Sequence, residues 1–180
     1  MKAWGIKFLS LVVVAKAWTQ GQIFVSNYVP VANLDAPVFD IDCATRLEGA
    51  AYLVQAYVGF TADSLSPVFE ARPFRTGKAA GYFTGYVLTV PGTSQDTLVY
   101  LQLRAWEAAA GLTFEAAVSA GGKYGLSNIV PMRTVMPPGT PYEPVGLQSF
   151  CLVPEPSSGT LLALGGVAWL ALAARRRPQP

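Results

Sequence analysis

The chain has 180 residues, enough for one domain of ordinary size, with 52% hydrophobic and only 13% charged residues. It holds no histidine and two cysteines, which excludes Ser-His-Asp and Cys-His nucleophilic systems, histidine-bearing zinc sites and a four-thiolate zinc site. Six of the 13 Lys and Arg lie in the two terminal segments; if processing spares all 11 acids, the middle carries a net charge of −4, which argues against nucleic acid as a partner despite a whole-chain pI of 8.6.

The N-terminus, MKAWGIKFLSLVVV, places Lys2 and Lys7 before a short apolar run from Phe8 to Ala15. Ala15-Lys16-Ala17 then fits the small-x-small pattern of a signal-peptidase site. The expectation is a secretory signal peptide over residues 1–17, with a later cut near Gly21 as the alternative; the apolar run is too short to span ~30 Å of hydrocarbon as a helix.

From residue 22 to 152 the pattern is short, alternating and broken by turn residues. Asp40-Ile41-Asp42, with Asp35 nearby, is either a calcium corner or a solvated strand end. Cys43 and Cys151 form a disulfide in an oxidising compartment or remain two separate buried thiols. Tyr52, Val54, Ala56 and Val58 share one face of a period-two strand, with Leu53, Gln55 and Tyr57 on the other. Arg72, Arg75 and Lys78 lie close in sequence to Phe69, Phe74, Tyr82 and Phe83. That cluster reads as an aromatic-and-cation patch for sugar or polymer contact, or, more commonly, as edge charges beside core aromatics.

Tyr82 to Leu88 and Val99 to Ala105 alternate as further strands, separated by the turn signal Pro91-Gly92-Thr93-Ser94. Arg104 to Gly111 carries a run of three alanines, Ala108 to Ala110, and makes at most a turn or two of helix. Leu112 to Val118 and Val145 to Val153 complete the expected strands, with breaks at Gly121-Gly122 and across Pro137 to Pro141. Short strands without a repeating strand-then-helix rhythm predict an all-β domain, an antiparallel β-sandwich. Glu48, Glu70, Glu107, Glu115 and Glu143 are the acids from which a glycosidase pair would be drawn, but any eleven acids would offer such pairs. No catalytic residue, metal or cofactor is expected.

The end of the chain departs from this pattern. After Val153-Pro154-Glu155-Pro156 come 18 uncharged residues, Ser157 to Ala174, then Arg175-Arg176-Arg177. As a helix those 18 residues reach about 27 Å, just enough for a bilayer. The arginines would stay cytoplasmic and turn the domain outward. Pro154 and Pro156 keep their backbone extended and outside helix or sheet pairing, so an enzyme at the membrane surface could reach it.

These residues resemble a PEP-CTERM sorting signal, which would occupy residues 153–180 with its apolar helix at about 158–174. The resemblance implies that Pro154, Glu155 and Pro156 are the sorting motif and that exosortase, an integral-membrane enzyme of Gram-negative bacteria with exopolysaccharide systems, is the partner. It further implies a transient inner-membrane anchor, with Arg175, Arg176 and Arg177 setting orientation, followed by surface delivery. A weaker likeness, carried by Arg46 to Tyr57, Arg104-Ala105-Trp106 and Gly146 to Phe150, is to small secreted PEP-CTERM proteins of verrucomicrobia-like bacteria. The whole reads as an exported, non-enzymatic surface or matrix protein of structural or adhesive type. A secreted carbohydrate-binding or carbohydrate-active domain and a permanently anchored single-span protein are the alternatives.

Overall fold

The computed structural model describes residues 20–154. The expected signal peptide, the residues of the expected apolar helix, Glu155, Pro156 and Arg175 to Arg177 lie outside the described residues. Among the described residues no helix is long and apolar enough to cross a membrane.

Eleven strands are described: β1 Gln22–Val25, β2 Tyr28–Val29, β3 Leu34–Asp35, β4 Val38–Phe39, β5 Tyr52–Thr61, β6 Ser64–Pro73, β7 Tyr86–Thr89, β8 Leu98–Glu107, β9 Tyr124–Leu126, β10 Val130–Arg133 and β11 Phe150–Cys151. The central sheet is antiparallel, in the order β10-β8-β5-β6, with β9 also on β8. β5 lines up residue by residue with β8, from Tyr52 opposite Glu107 to Gly59 opposite Tyr100. β9 and β10 both lie along the far side of β8. Ser127 joins them: its N–H donates to the Leu103 carbonyl and its Oγ accepts from the Leu103 N–H, both at 2.9 Å.

The two sheet edges contain the prolines. β6 carries Pro67 and Pro73, and β10 carries Pro131. Proline cannot donate to a ladder, so it is tolerated at edges and there discourages pairing with another chain. Inside β6 the register with β5 slips twice. At one slip Gly59 faces the Ser64 carbonyl so closely that any Cβ would overlap it. At the other, Phe69 takes a left-handed backbone, φ 70°, an uncommon conformation for a bulky side chain. The Gln55 side chain holds this bulge by donating to the Phe69 carbonyl at 2.6 Å.

Both faces of the central sheet are covered, by different means. One face sends Val54, Ala56, Val58, Val99, Leu101, Leu103 and Ala105 into the main core, where Ile23 and Val25 of β1 and Leu88 of β7 meet them. β1 pairs only with β7, as a two-stranded ribbon. The other face presents Leu53, Tyr57, Leu65 and Trp106 to a short helix, α1 Phe114–Ser119. Trp106 is fully buried, and its indole N–H donates to the Gly111 carbonyl at 2.9 Å. Arg104 lies 3.9 Å above the Tyr57 ring, and Tyr57 donates to Glu115 at 2.7 Å. Burial, followed by that carboxylate, pushes the Tyr57 hydroxyl pKa well above its ordinary value.

The helix corrects one expectation. Leu112 to Val118 alternates like a strand, but Thr113 caps a helix by accepting from the Ala116 N–H at 3.2 Å. Phe114 and Ala117, three residues apart, then point into the core together. Two expected strands are shorter than their patterns. Of Tyr82 to Leu88 the strand keeps Tyr86 onward, and of Val145 to Val153 it keeps Phe150–Cys151. The architecture is thus mostly β-sheet with one short helix.

Candidate functional site

Two places on the domain are candidate sites: the edge from which the tail departs, and a basic recess lined by Tyr28, Arg46, Arg75 and Lys78.

The tail edge is built from the loop after β4. Asp42 fixes that loop by accepting from the Ala44 and Thr45 N–H groups at 3.0 and 2.9 Å and from the Thr45 hydroxyl at 2.6 Å, an arrangement aspartate favours in turns. These bonds, the hydroxyl foremost, lower its carboxyl pKa to about 2. Asp40 accepts from Ile41 N–H at 2.8 Å, from Tyr52 at 3.1 Å and from the Lys123 ammonium through both oxygens at 3.1 Å. Partial burial alone raises the Asp40 pKa, but the three partners outweigh it and the carboxyl sits below its ordinary range. The Lys123 ammonium is held above its own ordinary pKa chiefly by its bond to Asp40.

The loop presents Cys43 to Cys151, and the two form a disulfide with their Cα atoms 5.3 Å apart. β11 lies parallel to β4, Phe150 beside Val38 and Cys151 beside Phe39. Leu152 N–H then donates to the Phe39 carbonyl at 2.9 Å, and Val153 exchanges two backbone bonds with Tyr124 of β9. The next residue, Pro154, is exposed. The domain therefore holds the chain to within one residue of Pro154-Glu155-Pro156.

The calcium corner considered for Asp35, Asp40 and Asp42 is not assembled. The oxygens of Asp40 and Asp42 serve the loop, and Asp35 bonds Tyr82 instead. Among the described residues no group of three or more metal-ligating side chains occurs.

The sequence cluster around Arg72 divides. Phe74 and Phe83 are buried and bridge to each other. Arg72 lies over the rings of Phe69 and Tyr86, 5.2 and 4.4 Å from their centroids, and those rings stack at 5.2 Å. Burial pushes the Tyr86 hydroxyl up to about 12. An open groove of about 700 Å³ is lined by exposed Phe60 and Phe69 together with Val68, Val90 and Pro91, and its lining is mostly apolar.

Arg75, Lys78 and Tyr82 go elsewhere. With Tyr28, Asp35 and Arg46 they line a separate open recess of about 410 Å³. Its walls come from strands far apart in the chain. Tyr28 and Asp35 are cross-strand neighbours in the β2–β3 pair, whose turn contains Pro30 and a left-handed Asn33. Tyr82 follows the turn Gly77–Ala79, and the Arg75 N–H donates to the Tyr82 carbonyl at 2.7 Å. The rings of Tyr28 and Tyr82 lie 4.9 Å apart at 46°. Tyr82 donates to Asp35 Oδ1 at 2.6 Å, and the Arg46 guanidinium sits 5.3 Å from the Tyr82 ring centre. Burial, then the Asp35 carboxylate, raises the Tyr82 pKa.

Beneath the recess, Asn27 is fully buried. Its Nδ2 donates to the Ala36 and Gly81 carbonyls at 3.0 and 2.8 Å, and its Oδ1 accepts from the Phe83 N–H at 3.3 Å. Gly81 has φ 85°, and a Cβ there would lie 2.9 Å from Pro37 Cβ, so this crossing requires glycine. Sequence reasoning missed that Tyr28 and Arg46 line the same recess as Lys78. The Pro30-to-Asn33 turn was the signal that could have set Tyr28 opposite Asp35.

No curated protein and no solved structure matches the chain. A family model, that of the PEP-CTERM protein-sorting motif, matches residues 152–177. The match covers the tail and does not support the bacterial group suggested by the middle of the chain. It begins at Leu152, still bonded to β4, and implies an exosortase as processing partner and transit to the cell envelope.

Proposed function

We propose that this chain is an exported, non-enzymatic β domain of sandwich type, delivered to the cell surface or exopolysaccharide matrix for a structural or adhesive role. The observation that carries the reading is where the sorting motif begins. The match starts in the last paired residues of a closed, disulfide-bonded domain. The described residues before it fold as a unit that would survive removal of the tail. In this reading the tail is a transient inner-membrane anchor, Glu155 is recognised between two prolines, and the arginines set which side the motif faces.

The experiment is intact mass of the surface-released protein, in cells with and without exosortase. A released product ending near Pro156, dependent on the enzyme, is expected. Full-length protein retained in the membrane in both strains would replace sorting with a permanent single-span anchor. Glu155→Ala should insert normally and escape processing; normal release of that variant would remove the motif from the account.

A second reading, a carbohydrate-binding domain on the same export route, is favoured by the recess around Tyr28 and Arg46. Aromatic rings, cations and one carboxylate around an open pocket are the kinds of group that hold a polar ligand in a fixed orientation.

A further inference from the structure

We propose that the recess formed by Tyr28, Asp35, Arg46, Arg75, Lys78 and Tyr82 binds a carboxylate-bearing sugar residue of an acidic polysaccharide. This deepens the carbohydrate-binding reading by naming its ligand class, and it is independent of how the tail is processed.

Charge is the first argument. The domain is acidic overall, yet three of its seven Lys and Arg converge on one recess. None of the three forms a salt bridge among the described residues, whereas Arg104, Lys123 and Arg133 each have an acidic partner. The acid within the recess, Asp35, is already bonded to Tyr82 through Oδ1. Glu48, close by in sequence, accepts from the Gly77 N–H at 3.3 Å. Like charges gathered without partners repel one another, and an anion in the recess relieves that repulsion.

The remaining groups say which anion. Tyr28 is 46% exposed, and its ring, backed by the buried Tyr82 ring at 4.9 Å, forms an apolar wall that suits the C–H face of a pyranose. Asp35 Oδ2 can accept from a hydroxyl. A phosphate or sulfate ion offers no C–H face, and Asp35 would repel it. A uronate-type sugar has all three: a carboxylate for the cations, a C–H face for the rings and hydroxyls for Asp35.

The site is also pre-formed. Asn27 ties the β2–β3 pair to the segment that carries Tyr82, and Gly81 permits their close approach. Little ordering is then needed on binding.

The test uses the full chain in detergent micelles and two probes of equal length, an α-1,4-linked galacturonate hexamer and its methyl ester. Isothermal titration should show binding to the acid form at least tenfold tighter than to the ester, weakening as salt rises. Arg75→Ala with Lys78→Ala should lower affinity for the acid by tenfold or more, and Tyr28→Ala by about fivefold, with the folded structure retained by circular dichroism. Arg133→Ala, a cation already paired with Asp96, should bind as the parent does. Equal binding of acid and ester would overturn the ligand class while leaving a sugar site. Binding of neither probe would overturn both this assignment and the carbohydrate reading. Inorganic sulfate displacing the hexamer equally well from the parent and the Tyr28→Ala variant would also overturn it, leaving a generic anion site.

Discussion

The tail edge and the basic recess handle charge in opposite ways. At the tail edge every charged side chain described has a partner: Asp40 with Lys123 and Tyr52, Asp42 with the loop it caps, and a covalent bond completes the closure. At the recess three cations and an exposed ring face outward over a floor that is itself fully bonded. Groups spent on internal partners hold the fold. Groups left over on a rigid base are what a ligand would use. That contrast sets a mechanically closed edge against the recess proposed above as a binding site, and substitutions can test each half.

The largest effect should come from the disulfide. Cys43 and Cys151 are 108 residues apart in sequence, and closing a loop of that size contributes at most about 4–5 kcal/mol by restricting the unfolded chain. Replacing both by serine should lower the denaturant midpoint accordingly, and adding reductant should do the same to the parent. A double variant as stable as the parent would show that the strand bonds of Leu152 and Val153 suffice without the covalent link.

Next in size is the floor of the recess. Asn27→Leu leaves the Ala36 carbonyl and the Phe83 N–H without their buried side-chain partner and takes one of two donors from the Gly81 carbonyl, which keeps the Val38 N–H. A loss of about 3 kcal/mol is expected in chemical denaturation, together with weaker hexamer binding. A stable variant that bound normally would separate the recess from its floor.

How much of this contrast could be read from the chain depends on how local each signal is. β5 and β8 follow period-two patterns and are found where the residues put them. β6 is invisible in SLSPVFEARP because prolines and a bulge erase the alternation, and only its place at an edge makes them tolerable. Leu112 to Val118 has strand-like alternation, and the Thr113 cap decides otherwise. At the tail, motif and charge order are contiguous, so the sorting motif is legible in the sequence. Arg75, Lys78 and Tyr82 were legible as a cluster, but Tyr28 and Arg46 join them only through strand pairing and the crossing at Gly81. Equally, Arg72 is near in sequence yet belongs to a separate ring stack.

A smaller effect is expected at the tail edge from pH. Asp40 and Asp42 have folded-state pKa values below their ordinary ones. A depressed carboxyl stabilises the fold fully above its unfolded pKa, and that contribution disappears as pH falls through the folded value. For Asp42 the window runs from about 4, the ordinary aspartate value, down to about 2. Stability should therefore decline across that acid range. Lys123→Met removes the ammonium from Asp40, should cost about 1 kcal/mol at neutral pH, and should flatten part of the acid decline. An unchanged acid profile would show that the loop bonds alone hold Asp40 low.

The smallest effect is the most discriminating for the recess. If Arg75 and Lys78 held the fold, removing them would destabilise it, as removing Lys123 should. Without a salt-bridge partner among the described residues they hold nothing in place, so Arg75→Ala with Lys78→Ala should change stability by no more than about 0.5 kcal/mol. The sign should be toward greater stability at low salt, where exposed like charges repel over a long range, and the gain should fade near 1 M salt, where screening acts within about 3 Å. Denaturant titrations at two ionic strengths read this directly. A salt-independent loss in the double variant would make these cations structural and would erase the distinction between the two regions.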